Sequence, residues 1–207
     1  MDATDWDERY SGADLVWSSE PNVHVADVVG GLAPGRALDV AAGEGRHAVW
    51  LAERGWQVTA ADFSPVAVER TRVVADRRLG GDATRVDPVV SDATAEAPGT
   101  GFDLVLFAYL QLPDEAWETA LARGVDATAP GGTVLVVCHA ERNLAAGTGG
   151  PQDTTVLHDP ESVVAAARRL PVDVELAEVR ERDVDGAPRP ALDTVVVLRR
   201  LGVTAAG

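Results

Sequence analysis

Lysine is absent from this 207-residue chain, and all 18 of its basic residues are arginine. A P-loop of the form GxxxxGK[ST] is thereby impossible, because that loop needs its lysine on the phosphates. Cysteine is nearly absent: the single Cys138 excludes an intramolecular disulfide and any cysteine-built zinc knuckle. Basic charge is scarce beside acid, 18 residues against 33, and a net charge of −15 repels phosphate backbones and anionic lipid. A nucleic-acid reader carries a basic stripe. None is present here, so neither nucleic acid nor membrane is expected as a partner. No apolar run nears the roughly 20 residues of a membrane span, and the acidic opening MDATDWDERY has no signal-peptide core. A soluble, cytoplasmic protein is expected. The histidines His24, His47, His139 and His158 form no i, i+4 pair and sit in no ligand cluster, so no metal site is expected.

What the chain does have is a rhythm of apolar strands and helical segments. Strands are read at Arg36 to Val40, Gln57 to Ala61, Val86 to Ser91, Phe102 to Ala108 and Thr133 to Cys138. Helices are read from Pro21 to Val29, Arg46 to Arg54, Ser64-Pro65 to Leu79, Pro113-Asp114 to Thr128 and Asp159-Pro160 to Leu170. Strands so separated imply right-handed crossovers and a parallel sheet. The C-terminal quarter differs. Val172 to Val184 and Thr194 to Arg200 are joined by a short turn over Gly186 to Pro190, and strands so closely joined are antiparallel. The expected fold is α/β: one Rossmann-like open sheet, mostly parallel with a C-terminal antiparallel hairpin, with helices on both faces. At this length the chain fits a single domain, as a monomer or a homodimer.

The richest stretch is ALDVAAGEGRHAVWLA, residues 37–52, where a buried strand enters a glycine turn and then a helix. Such a turn presents backbone N–H groups to a ligand. Gly43-x-Gly45-x-x-Ala48 also satisfies the loose dinucleotide pattern G-x-G-x-x-G/A. Asp39 separates the two readings, because a carboxylate beside the turn suits a ligand carrying positive charge better than a pyrophosphate.

Taken with WDERY, Trp17 and Pro21-Asn22, then DVAAGEGRHAVWLAERGW, ADFSP, SDA, FDLVLFAYLQLP and APGGTVLVV, the chain resembles class I S-adenosylmethionine (SAM)-dependent methyltransferases. Within them it is similar to the compact tellurite-resistance and thiopurine-methyltransferase-like group. The resemblance implies S-adenosyl-L-methionine as cofactor and a role for each matching residue. Asp39, Gly43 and Gly45 match the acidic-plus-glycine motif, with Ala41 standing where the general pattern has its first glycine. Asp62 would accept the ribose hydroxyls, a task that suits the two oxygens of a carboxylate, and Ser64 follows it as a helix N-cap. Phe63 would lie along adenine or pack in the core. Asp92 and Ala93 would read the adenine edge. Phe107 to Leu110 would line the methyl-transfer site. Arg46 would pair with the cofactor carboxylate or remain solvated.

The acceptor side is less defined. Tyr109, Gln111, His139 and Arg142 are candidates for contacting the substrate, with Tyr109 either a hydrogen-bonding group or a half-buried core residue. His139, at the end of the fifth strand, is the best candidate base, although a strand-capping histidine would look the same. Close relatives have His-Leu-Pro where this chain has Gln111-Leu112-Pro113, so a base there is lost. With no convincing base, a thiol or other soft nucleophile is the favoured small-molecule acceptor, since an alcohol or amine often needs one. O- or N-methylation of a small metabolite, or SAM binding without catalysis, are the alternatives. Residues 1–33 are expected to form a helical lid over a core of residues 34–207. In this lid Trp6, Tyr10 and Trp17 would cover the sulfonium with aromatic faces and shut out water.

Overall fold

The computed structural model describes residues 20–202. Its centre is a seven-stranded sheet in the order β3-β2-β1-β4-β5-β7-β6. The strands are β1 (Arg36–Val40), β2 (Gln57–Asp62), β3 (Val86–Val90), β4 (Phe102–Ala108), β5 (Thr128–His139), β6 (Val172–Arg182) and β7 (Ala191–Arg200). The first five run parallel to one another. β7 runs antiparallel between β5 and β6, which is the hairpin expected from the short Gly186 turn. β5 begins earlier than the apolar run suggests, because Ala129 to Gly132 continue the strand after a register shift against β4.

Helices cover both faces. On one lie α1 (Val23–Val29), α2 (Arg46–Glu53) and α3 (Pro65–Leu79). On the other lie α4 (Asp114–Ala127) and, beyond the short α5 (Asn143–Ala146), α6 (Pro160–Ala167). The two-residue period of the strands sorts side chains between the faces. Leu104, Leu106, Leu135 and Val137 pack with α1, α2 and α3, while Val105, Phe107, Val134 and Val136 pack with Trp117 and Leu121 of α4. The central strands are therefore apolar on both sides, as parallel strands under two helical layers must be.

Two helix starts follow the side-chain chemistry of their caps. Ser64 accepts the Ala67 N–H at 3.1 Å and Pro65 opens α3. Asn22 caps α1 by accepting the His24 N–H at 2.8 Å. Val25 and Val29 of that helix are fully buried in the core. The part of residues 1–33 that is described is thus fastened to the sheet, while Trp6, Tyr10 and Trp17 lie outside the described residues. Among the described residues no helix is long and apolar enough to cross a membrane.

Candidate active site

The strand order reverses between β1 and β4, and the carboxyl ends of the strands there open into a crevice, the usual ligand site of an open α/β sheet. The cavity at this point measures about 1130 Å³. That exceeds the ~300–1,000 Å³ of a typical single-ligand pocket, so there is room for two ligands side by side.

One half is built around the glycine turn. Ala41, Gly43 and Gly45 have φ of 56°, 58° and 79°, a left-handed path that L side chains adopt at a cost. Ala41 therefore occupies a glycine conformation. The Gly43 carbonyl accepts the Thr71 hydroxyl of α3 at 2.9 Å, and its N–H reaches Asp62 Oδ2 at 2.8 Å. Gly45 has a different task from the cavity-lining Gly43. A Cβ there would stand 2.5 Å from Thr71 Cγ2, so glycine lets α2 approach α3.

Asp39 lies beneath this turn, 1% exposed, and among the described residues neither carboxylate oxygen has a hydrogen bond of good geometry, although the Ala48 backbone N–H favours its charged form. Burial pushes its carboxyl up to about 7, against the opposing pull of the Arg46 guanidinium. Arg46 itself borders the cavity, its Cζ 5.7 Å from the centroid of the Tyr109 ring. Burial and the Arg46 charge hold His47 well below the usual histidine range. The neutral ring accepts the Asn22 N–H on Nε2 at 3.2 Å. A buried carboxyl beside backbone N–H groups and an arginine is a set suited to an α-amino acid moiety with both its charges.

At the end of β2, Asp62 is 4% exposed and accepts backbone N–H groups on both oxygens, Gly43 on Oδ2 and Ser64 on Oδ1 at 2.9 Å. A carboxylate oxygen accepts more than one hydrogen bond, so this anchoring is compatible with a diol. Phe63 and Ala93 border the cavity beside it. Asp92 also borders it and uses Oδ1 to accept the Thr94 N–H and hydroxyl, each at 2.8 Å. Ser64 is fully buried as the α3 cap and does not reach the cavity.

The other half is polar and tightly connected. Tyr109, just past β4, has φ of 62°. This departure from strand geometry turns its ring away from the face of Phe107. Phe107 itself packs edge-on against Trp117 with centroids 5.6 Å apart, inside the core and off the cavity. The alternation of β4 therefore places the Phe107 ring in the core rather than at the cavity. The Tyr109 hydroxyl accepts from Asn22 Nδ2 at 2.6 Å and donates to Asp193 Oδ2 at 2.7 Å. Burial and the Asp193 charge raise the phenol well above its ordinary value, so it stays protonated. Arg182 Nε donates to the same Oδ2 at 2.7 Å. His139 borders the cavity with its Nδ1 3.1 Å from Asp193 Oδ1. Gln111 borders it too, whereas Arg142 is exposed at the start of α5 and does not line it.

Sequence reasoning missed Asn22, Arg182 and Asp193 as site residues. Asp193 carried a legible signal, an acid inside the apolar strand ALDTVVVL. Arg182 carried none, being one of several charges along the largely exposed β6.

The order of the sheet, its antiparallel end and the crevice over the glycine turn define the class as the Rossmann-like fold of methyltransferases. Residues 37–132 match the family model of a methyltransferase domain. The demethylmenaquinone methyltransferase of Thermus thermophilus is 33% identical over 129 residues, covering 61% of this chain. The chain spans about half that relative's length, 55%. Burkholderia thailandensis 1,6-didemethyltoxoflavin-N1-methyltransferase, solved with 1,6-didemethyltoxoflavin and S-adenosylhomocysteine, superposes with a TM-score of 0.70 at 21% identity, over 97% of this chain and 87% of its own. The glycopeptide N-methyltransferase MtfA complexed with sinefungin gives 0.70 at 20% identity, over 92% and 90%. At these identities the likeness is one of fold.

Proposed function

We propose that this chain transfers a methyl group from S-adenosyl-L-methionine to a small-molecule acceptor by in-line displacement. The observation that carries the reading is Asp39, a fully buried carboxyl with no hydrogen bond of good geometry to its oxygens among the described residues, set under the Gly43 turn with Asp62 at the next strand end. Gly43 and Arg46 would hold the methionine part, Asp62 the ribose, and Phe63, Asp92 and Ala93 the adenine. The cofactor supplies an activated carbon on sulfur, and the protein's part is to align the reactants and exclude water. The neighbours solved with S-adenosylhomocysteine and sinefungin support the same ligand class.

The motifs from WDERY to APGGTVLVV support placing the chain near the tellurite-resistance and thiopurine group. The net charge of −15 and the bounded cavity support a small acceptor over a nucleic acid. A thiol or other soft nucleophile is the acceptor favoured where no base serves, and O- or N-methylation is the alternative if His139, at the cavity beside Asp193, serves as one. The test of the cofactor is a thermal-shift and calorimetric screen of SAM, S-adenosylhomocysteine, NADH and NADPH. Stabilisation by the first two alone is expected, and stabilisation by a dinucleotide in their place overturns the reading.

A further inference from the structure

His139 ends β5 and Asp193 stands opposite it on β7, a register pair of the antiparallel half of the sheet. Asp193 is 0% exposed. Its two oxygens have separate surroundings. Oδ2 accepts the Tyr109 hydroxyl and Arg182 Nε, both at 2.7 Å, and His24 Nε2 lies 3.8 Å from it. Oδ1 has no hydrogen bond at good geometry from any described residue, and its near neighbour is His139 Nδ1 at 3.1 Å. That Nδ1 is itself sealed from solvent without another partner, while the ring borders the cavity. The imidazole is further held from both sides. Tyr109 packs against it with ring centroids 4.8 Å apart. Over it passes Gly150, where a Cβ would stand 2.7 Å from the ring carbon Cδ2. So the ring has one carboxylate to address with Nδ1 and the cavity to address with Nε2.

Resting on the methyltransferase reading above, we propose that His139 is the base that takes the proton from an acceptor bearing an O–H or N–H group, and that Asp193 is a positioning residue that fixes Nδ1–H and leaves Nε2 as the acceptor-facing lone pair. A carboxylate behind a histidine sets its tautomer and stabilises the imidazolium once formed. Methyl transfer then balances as follows. The acceptor atom forms a bond to the methyl carbon as the carbon–sulfur bond breaks with its electron pair to sulfur. The acceptor's proton passes to His139 Nε2 and later to solvent. Tyr109, kept protonated, and Arg182 hold the carboxylate ionised: burial opposes its charge, but the donors around it bring Asp193 down to about 2.

The deciding measurement needs no cofactor. In the full chain labelled with ¹⁵N-histidine, long-range ¹H–¹⁵N correlation reads the tautomer, with the His139 signal identified by its loss in His139→Gln. Nδ1–H with an unprotonated Nε2 is expected. A neutral ring protonated on Nε2 overturns the proposal in the wild-type protein, whatever any variant does. In Asp193→Asn that tautomer preference should be lost. The rate should drop by about 10²–10⁴-fold with phenol or imidazole-type probe acceptors, with the acid limb of the pH–rate profile displaced to lower pH. SAM affinity by calorimetry should change less than threefold. An unmoved tautomer in Asp193→Asn, or a thiophenol probe methylated efficiently while phenol and imidazole probes are inert, refutes it. Failure of SAM to bind the wild-type protein instead defeats the methyltransferase reading, and the tautomer measurement stands apart from that result.

Discussion

Asp62 holds the glycine turn to the second strand: its Oδ2 accepts the Gly43 N–H at 2.8 Å across 19 residues of sequence. The same carboxylate is the proposed ribose acceptor. Asp62→Ala should therefore weaken SAM binding by about 1.5–3 kcal/mol, the usual cost of losing hydrogen bonds to a charged group. Calorimetry on a variant whose folding is checked by circular dichroism reads this directly. An unchanged affinity would remove the ribose assignment.

Gly45 and Thr71 set the distance between α2 and α3. Gly45→Ala places a methyl 2.5 Å from Thr71 Cγ2 at a φ of 79°. The strained backbone and the overpacking together should cost about 2–4 kcal/mol, lowering Tm by roughly 5–12 °C for a chain of this size. Adding Thr71→Ala should recover part of that loss, since the two sites share one contact. Additive losses in the double variant would show that the clash is not what matters.

The converse holds at Ala41, where φ is 56°. Ala41→Gly relieves a left-handed conformation worth about 1–2 kcal/mol and returns roughly 0.5–1 kcal/mol in chain entropy. A net gain of about 0.5–1 kcal/mol is expected in denaturant titration. A destabilised variant would mean the turn relaxes around alanine without strain.

Asp39 predicts a pH dependence. In the folded protein its carboxyl titrates at about 7, whereas an unfolded aspartate ionises near ~3.9. Between those values the folded state holds the extra proton, so this group's contribution to stability falls as pH rises from about 4 to 7 and is level above. Its size is on the order of 4 kcal/mol, at about 1.4 kcal/mol per unit. Urea unfolding of Asp39→Asn at about pH 5 and pH 8 should lack that decline while the wild-type shows it. Parallel pH curves for the two proteins would place the shift elsewhere.

The lid proposal is tested by deletion of residues 1–18. Because Val25 and Val29 anchor α1 in the core, the shortened protein should fold cooperatively with nearly unchanged melting. It should lose most SAM affinity and measurable turnover. Outright unfolding would make the segment structural, and normal methylation would dispose of the lid.

The fold was legible because its signals are local. Apolar runs such as Leu104 to Phe107 and Val134 to Val137 announce strands buried on both faces, Ser64-Pro65 announces a helix start, and Gly186 announces the hairpin. The place of Asp39, Gly43 and Asp62 around one crevice was legible for the same reason: they stand at or just beyond the ends of β1 and β2, where sequence position alone fixes place in an α/β sheet. Which way Phe107 and Arg142 face was not legible, because the direction of a side chain at the end of a strand or the start of a short helix depends on packing. The turn at Tyr109, with its φ of 62°, is such a case.

The sequence by itself determined the layered α/β architecture, the acid-and-glycine turn and the class of ligand it suits, since periodicity and turn chemistry act over a few residues. Only the tertiary structure decided that Asn22, Tyr109, His139, Arg182 and Asp193 meet in one polar cluster. Those residues come from α1's cap, β4, β5, β6 and β7, and the antiparallel pairing of β7 with both β5 and β6 carries Asp193 to the centre of them. Such a meeting depends on register between strands far apart in the chain, where a shift of one residue would send Asp193 to the opposite face.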